Sequence, residues 1–366
     1  MYHQIRLLSE KFEIVLVSLS DKKVKQEHLD KINEFTSKTY VFRLNKAGIF
    51  LRLIKGFFSY KPFPVLYFYD SATKHKIHAL IRNENPDIIY NQLLRTAEYT
   101  KDLKHFKILD YMDCFSEGMK KRLGNSSFPF SAIYKEEYQR MKKYETNIFS
   151  FFNKHSIISR QDRDKFKKEL REKIYIVPNG VDMQYFSPRI NKVEYELGFV
   201  GNMGYRPNII ASEYLVKEVL PELKKHNPDI TILLEGARPS IKVKNLASDN
   251  VEITGWVEDI RDAYSSIMVF IAPIFTGIGQ PNKILEAMSM GIPVLTTPEV
   301  NKAIGAKNGE EVLVAKNKKE FVDHFLFLLN NPDKMETIGQ KGRDFVKKTY
   351  SWDFQKQKLF SLFGKN

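Results

Sequence analysis

"FTGIGQPNKILEAMSMGIPVLTT", Phe275 to Thr297, decides how this chain is read. It follows "IMVFIAPIF", an unbroken apolar run of strand length that ends at Phe275. Gly277 and Gly279 let the backbone after that strand approach a ligand closely. Pro281 suits the first turn of a helix, whose N–H groups and positive dipole end favour a negative group. Asn282 and Lys283 open that helix, and Lys283 adds a full positive charge. Leu285, Met288 and Met290 give it an apolar face to lay on a sheet. Glu286 stands alone among apolar neighbours one turn in, where a carboxylate can accept two hydrogen bonds from a ribose diol. The alternative is an acid on a solvated helix surface.

The grammar of strand, glycine turn and helix repeats on either side. "YELGFVGNM" ends in a turn carrying Gly201, Asn202 and Gly204, where backbone N–H groups can approach a phosphate. Arg206 follows, placed either to fork onto a diphosphate or to stand on the surface. "DITILLEGARP" brings Arg238 to a strand end, in reach of phosphate or in solvent. "ITGWVEDI" puts Trp256 and Val257 after a strand, to meet a base or, for Trp256, to pack as a core aromatic. Three helices finish the chain. Upstream, "FEIVLVSL", "PDIIYNQ", "HFKILDYMD", "NKHSIISR" and "EKIYIVPNGVD" are short apolar runs between helical stretches. Strands alternating with helices predict an α/β protein with parallel sheets. Two doubly wound domains are expected, 1–177 and 178–350. Their ligands belong outside the carboxyl ends of the strands.

The 366 residues carry a formal net charge of +14 and one cysteine, Cys114. That surface favours anionic partners. Nucleic acid is excluded by the lack of any of the usual binding signatures. One cysteine and no apolar run of about 18–20 residues predict a cytoplasmic protein, and "MYHQIRLLSEKFEIV" has no signal-peptide core. Between Glu34 and Asp70 there is no acid, while Lys38, Arg43, Lys46, Arg52, Lys55 and Lys61 punctuate an apolar sequence. Segment 35–69 reads either as an interfacial element on an anionic bilayer or as core with snorkelling lysines.

"YIVPNGVDMQYFSP" (175–188), "GFVGNMGYRPN" (198–208), "ITGWVEDI" (253–260) and "GIGQPNKILEAMSMGIPVLTT" (277–297) together resemble the donor-binding half of a family 4 retaining glycosyltransferase of the GT-B fold. The first half is similar to bacterial sugar transferases of exopolysaccharide and cell-surface glycan assembly. The resemblance implies two Rossmann-like domains facing a cleft, with residues 351–366 as a helix crossing back to the first. It implies a nucleoside-diphosphate sugar as co-substrate, a glycan or lipid-linked acceptor, and neither metal nor organic cofactor. Glu286 would bind the ribose, and Lys283 with Arg206 the diphosphate. Asp113, in "ILDYMDCFSE", falls where relatives place a His–Asp pair near the sugar; a helix N-cap is its other reading. Arg95 is a candidate for the acceptor. "YE" at Tyr144–Glu145 resembles a subgroup feature without a known role.

Two departures stand out. Ile278 occupies the position of the family's second glutamate, eight residues before Glu286, which shifts the sugar contact to backbone N–H groups of 277–280. The chain also opens inside the first helix, so the family's first strand and its glycine-rich loop are expected to be missing. The alternative function is therefore a catalytically impaired nucleotide-sugar-binding scaffold. An epimerase of the same fold would want acid/base carboxylates and a histidine at the sugar, which the sequence does not offer.

Overall fold

All strand pairings among the described residues are parallel. The computed structural model describes residues 1–364 except 125, 191 and 276–278. Gly277 and Ile278 thus lie outside the described residues. The chain divides into two compact units, Met1–Val177 with Lys356–Asn366, and Pro178–Gln355.

In the first unit β1 (Val15–Ser20) pairs with β2 (Lys38–Arg43), and β3 (Ile88–Gln92), β4 (Phe106–Asp110), β5 (Lys154–Ile157) and β6 (Ile174–Ile176) form a second sheet in that order. Ile77 and Ile81, from the helix Ser71–Glu84, pack with Val17, Leu19 and Phe42 and with Ile89, so one apolar cluster joins both sheets. The strand expected over 12–19 starts later, at Val15, and the Phe12 ring instead meets Phe360 and Phe363 of the last helix, Trp352–Phe363. Part of segment 35–69 is a strand. Residues 38–43 are β2, because the β-branched and aromatic run Thr39–Phe42 fits a pleated surface better than a helix.

The second unit is one sheet ordered β12-β11-β10-β7-β8-β9, built from β7 (Tyr195–Val200), β8 (Ile232–Glu235), β9 (Val251–Gly255), β10 (Ile267–Ala272), β11 (Val294–Thr296) and β12 (Leu313–Val314). The chain winds outward from β7 in one direction, then returns to lay β10 on its other side. That is the doubly wound order, and its switch point lies between β7 and β10. β10 is apolar at every position because helices cover both faces of a parallel sheet. Phe199, Tyr264, Phe270, Phe321 and Phe325 fill the core without measurable exposure of more than 1%.

Candidate functional site

Three strand ends of the second unit are stitched together by backbone. Gly201 N–H donates to Glu235 O (2.8 Å), Met203 N–H to Ala237 O (2.9 Å) and Gly236 N–H to Gly255 O (2.9 Å). The turns after β7, β8 and β9 are thereby one surface. Gly236 makes the approach possible. It sits at φ +141°, and a Cβ there would lie 1.7 Å from Gly201 O. Such contact excludes every other residue type.

The helix Asn282–Ser289 meets this surface across the switch point. Ile284, Leu285, Ala287 and Met288 are buried in the sheet-facing side, which leaves Lys283 and Glu286, three apart, on the opposite face. The helix is held at both ends. Gln280 exchanges two hydrogen bonds with the backbone of Asn179, 2.6 and 2.8 Å, and Arg343 donates to Ser289 O at the C-terminus.

Lys283 Nζ lies 2.6 Å from Asn208 Oδ1 and 4.8 Å from the centroid of Phe199. A Cβ on Gly201 would fall 2.8 Å from the same ammonium and 2.9 Å from Asn208 Nδ2, so a side chain there would push both groups aside. Desolvation pushes Lys283 down to about 8, opposed by the Glu286 carboxylate. Asn208 is buried, and its Nδ2 donates to Asn202 O, so one amide ties the glycine turn to the lysine. Glu286 Oε2 accepts from the Tyr264 hydroxyl at 2.9 Å. Burial raises the Glu286 carboxyl, opposed by that hydrogen bond and by Lys283. Glu286 is half-buried and hydrogen-bonded, not a solvated helix surface.

Between these groups opens a cavity of about 370 Å³, within the range of small-molecule sites. Gly201, Asn202, Trp256, Val257, Lys283 and Glu286, all singled out in the sequence, line it together with Tyr185, Gly236 and Tyr264. Trp256 is 74% exposed and so is no core aromatic; it stands on the cavity wall. Below the turn, Glu235 ends β8 with its carboxyl pushed up to about 7 by burial.

Other expected residues are not part of that wall. Arg206 is exposed at the start of the helix Arg206–Tyr214 and does not line the cavity. Gly204 and Arg238 pack on each other instead: a Cβ on Gly204 would meet Arg238 O at 2.8 Å. Arg238 itself is exposed. Gly279 is half-buried and Asn282 exposed, both just before or at the helix start. Asn208 and Tyr264 were not foreseen. The only cue in the sequence for Asn208 is its place in the first turn after Pro207, and Tyr264 has none.

In the first unit β3 and β4 run in parallel register, Gln92 beside Asp110, so Arg95 and Asp113 follow strand ends on the same edge. The guanidinium of Arg95 stacks 4.1 Å over Phe68, and desolvation lowers its pKa. Asp113 is exposed, yet partial desolvation, then Asp162 and Asp110, raise its carboxyl. The first-turn N–H of Ser116 is taken by Glu145 Oε1 at 3.0 Å rather than by Asp113. "YE" is thus structural. Tyr144 OH bonds Glu98, which Lys61 and Lys101 also hold, and Glu145 is buried with its carboxyl pushed up to about 7. Cys114 is buried, and desolvation lifts its thiol to about 12, which leaves it unreactive.

Residues 194–331 match the family model described as "Glycosyl transferases group 1". The chain is 23% identical over 317 residues, 75% of its length and 78% of the other, to an uncharacterized 44.6 kDa protein in the cps region of Klebsiella pneumoniae. It is 29% identical over 184 residues to the Escherichia coli UDP-Gal:alpha-D-GlcNAc-diphosphoundecaprenol alpha-1,3-galactosyltransferase, covering 44% of this chain and 43% of that one. Among solved structures, Anabaena HepE in complex with UDP and glucose superimposes with a TM-score of 0.68 at 13% identity, over 99% of this chain and 94% of HepE. The protein therefore has the GT-B fold, and the likeness to the group 1 model is confined to residues 194–331.

Proposed function

We propose that the protein transfers a sugar from a nucleoside-diphosphate sugar to a glycan or lipid-linked acceptor, with retention of anomeric configuration, in polysaccharide or cell-surface glycan biosynthesis. The observation that carries this is the meeting of Lys283, Glu286, the Gly201 turn and Trp256 in one cavity at the switch point of the group 1 domain. The Lys283 ammonium holds the diphosphate, helped by the dipole of its own helix. The free oxygen of Glu286 accepts from the ribose, and Trp256 with the Val257 backbone flanks the base. As the bond from the anomeric carbon to the diphosphate breaks, Lys283 stabilises the negative charge that develops on the leaving oxygen. The acceptor oxygen bonds to the same face of that carbon, and its proton passes to the departing diphosphate. Asp113 and Arg95 are assigned to the acceptor, and no metal or organic cofactor is assigned a part. That the relatives include an enzyme named for a UDP-sugar donor and a diphosphoundecaprenol acceptor supports the donor and acceptor classes.

The test is a panel of nucleotide sugars incubated with the purified chain and a lipid-linked glycan extract, followed by measurement of nucleoside-diphosphate release and of the product anomer by NMR. Acceptor-dependent release that Lys283→Ala abolishes, with an unchanged anomer, is the expected result. Tight nucleotide binding without release under any acceptor would replace transfer by the scaffold role.

A further inference from the structure

The first unit carries a surface that sugar transfer from the second unit does not use. Residues 46–56 form a helix of which only Ile49 and Gly56 are buried. Phe50 is 65% exposed, and Leu51, Ile54 and Phe57 are exposed with it; Phe58 and Tyr60, on the turn that follows, are 92% and 97% exposed. At about 100° per residue, Phe57, Phe50, Ile54, Phe58 and Leu51 fall on one continuous arc. Lys46 and Lys55, both exposed, fall on its two margins. An apolar arc turned to solvent and bounded by lysines is the reverse of a core helix.

A second segment extends it. In the helix Phe130–Ile148 the residues Phe130, Ile133, Glu137 and Arg140 share a face. Glu137 accepts from Phe63 N–H at 2.8 Å, and Arg140 donates to Gly56 O at 2.8 Å and Phe57 O at 3.3 Å. This face therefore docks on the corner at 56–63, and the exposed Phe130 and Ile133 project beyond it, with Phe128 (84% exposed) just before. The acids at its edge are already held. Arg140 takes Glu136 and Glu137, Arg52 takes Asp70, and Lys61 with Lys101 takes Glu98.

We propose that Phe50, Ile54, Phe58 and Tyr60, with Phe128 and Phe130, insert into the surface of an anionic phospholipid bilayer while Lys46 and Lys55 meet its headgroups. The charge selects this occupant. Segment 35–69 has no acid, so the patch attracts anionic headgroups, and its lysine margins reach upward as its rings go in. A second copy of the chain would bring the same +14 against it, and association would be opposed. Leu51 and Ile54 share the arc with the rings and offer a base no face to stack on, which distinguishes the patch from a nucleic-acid platform. The proposal is independent of the nucleotide site.

Co-sedimentation with vesicles of phosphatidylcholine alone, and of phosphatidylcholine mixed with phosphatidylglycerol, tests it. The full chain binds the mixed vesicles, and binding drops with added salt. The double substitution Phe58→Ser with Tyr60→Ser lowers partitioning on the order of tenfold or more, since two rings are lost from the interface. Lys46→Glu with Lys55→Glu removes the preference for the anionic lipid. These side chains are exposed, so thermal unfolding and nucleotide affinity stay unchanged in both variants. Equal binding to the two vesicle types, or undiminished binding by the Phe58→Ser, Tyr60→Ser variant, overturns the proposal. So does a concentration-dependent dimer, seen by sedimentation equilibrium, that the same variant dissolves.

Discussion

Lys283 and Asn208, 75 residues apart in sequence, are joined by a 2.6 Å hydrogen bond that fixes the ammonium beside the Gly201 turn. Asn208 fills its other valence with Asn202 O, so the lysine, the turn and the helix after β7 are a single unit. A buried cation whose charge is met only partly inside the protein is poised to take an anion. Lys283→Ala should weaken nucleoside-diphosphate binding by roughly 1–3 kcal/mol, the size of a charge-assisted hydrogen bond. Asn208→Ala should cost less but act on the same ligand group. Calorimetric titration of both variants with diphosphate and with the bare nucleoside checks this, because the nucleoside should be indifferent to either change.

The depressed Lys283 pKa gives the binding a pH dependence of definite sign. Free, the amine titrates at about 8. A bound diphosphate stabilises the ammonium and raises that value, so the complex holds more protons than the free chain. Affinity should be level below pH 8 and fall as pH rises through it. Lys283→Arg, which keeps its charge throughout, should remove the fall. Titrations at pH 7 and 9.5 in the two proteins decide it.

Gly236 should tolerate no side chain. Its φ of +141° and the 1.7 Å approach to Gly201 O put both strain and a backbone clash into Gly236→Ala. A loss of about 2 kcal/mol or more is expected in urea unfolding, together with weakened nucleotide binding as the two turns part. Gly255→Ala, with a positive φ of 89° but nothing within 4 Å, should cost less and leave binding alone.

Glu145 sets a stability profile in the first unit. Burial raises its carboxyl from 4.5 to about 7, so between those values the folded chain holds a proton the unfolded chain has released. This contribution is complete below pH 4.5 and is lost as pH rises toward 7, by up to about 3 kcal/mol. Glu145→Gln keeps the acceptor for Ser116 N–H and should flatten that part of the curve. Urea unfolding at pH 5 and 7.5, wild type against variant, measures it.

Much of the second unit could be read from the chain because its strands are short, largely apolar or alternating runs closed by a glycine or a polar turn, from Gly201 after β7 to Gly255 at the end of β9. The lysine and the glutamate of its helix declared themselves by standing three apart on the face that Leu285 and Met288 leave free. Asn208 and Tyr264 did not, since each acts by reaching a residue 75 or 22 positions away, and only the folded sheet brings such pairs together. In the first unit β2 was hidden inside a basic, apolar segment that reads either as interfacial or as core with snorkelling lysines. Its neighbours at 50–60 do expose their rings, whereas Thr39–Phe42 pair with β1. Arg206, which the sequence left either on a diphosphate or on the surface, is exposed at the start of its helix and does not line the cavity.

Glu286 accepts from Tyr264 through Oε2 and also lines the cavity. The most direct measurement is calorimetric binding of a ribonucleoside diphosphate and of its 2′-deoxy and 3′-deoxy analogues to the wild type and to Glu286→Gln. If Glu286 accepts from the ribose, the substitution weakens the ribonucleotide and has much less effect on at least one deoxy analogue, with a coupling of about 1 kcal/mol or more. Equal losses for all three ligands would mean that Glu286 only anchors its helix to Tyr264, and would contradict the placement of the donor in this cavity.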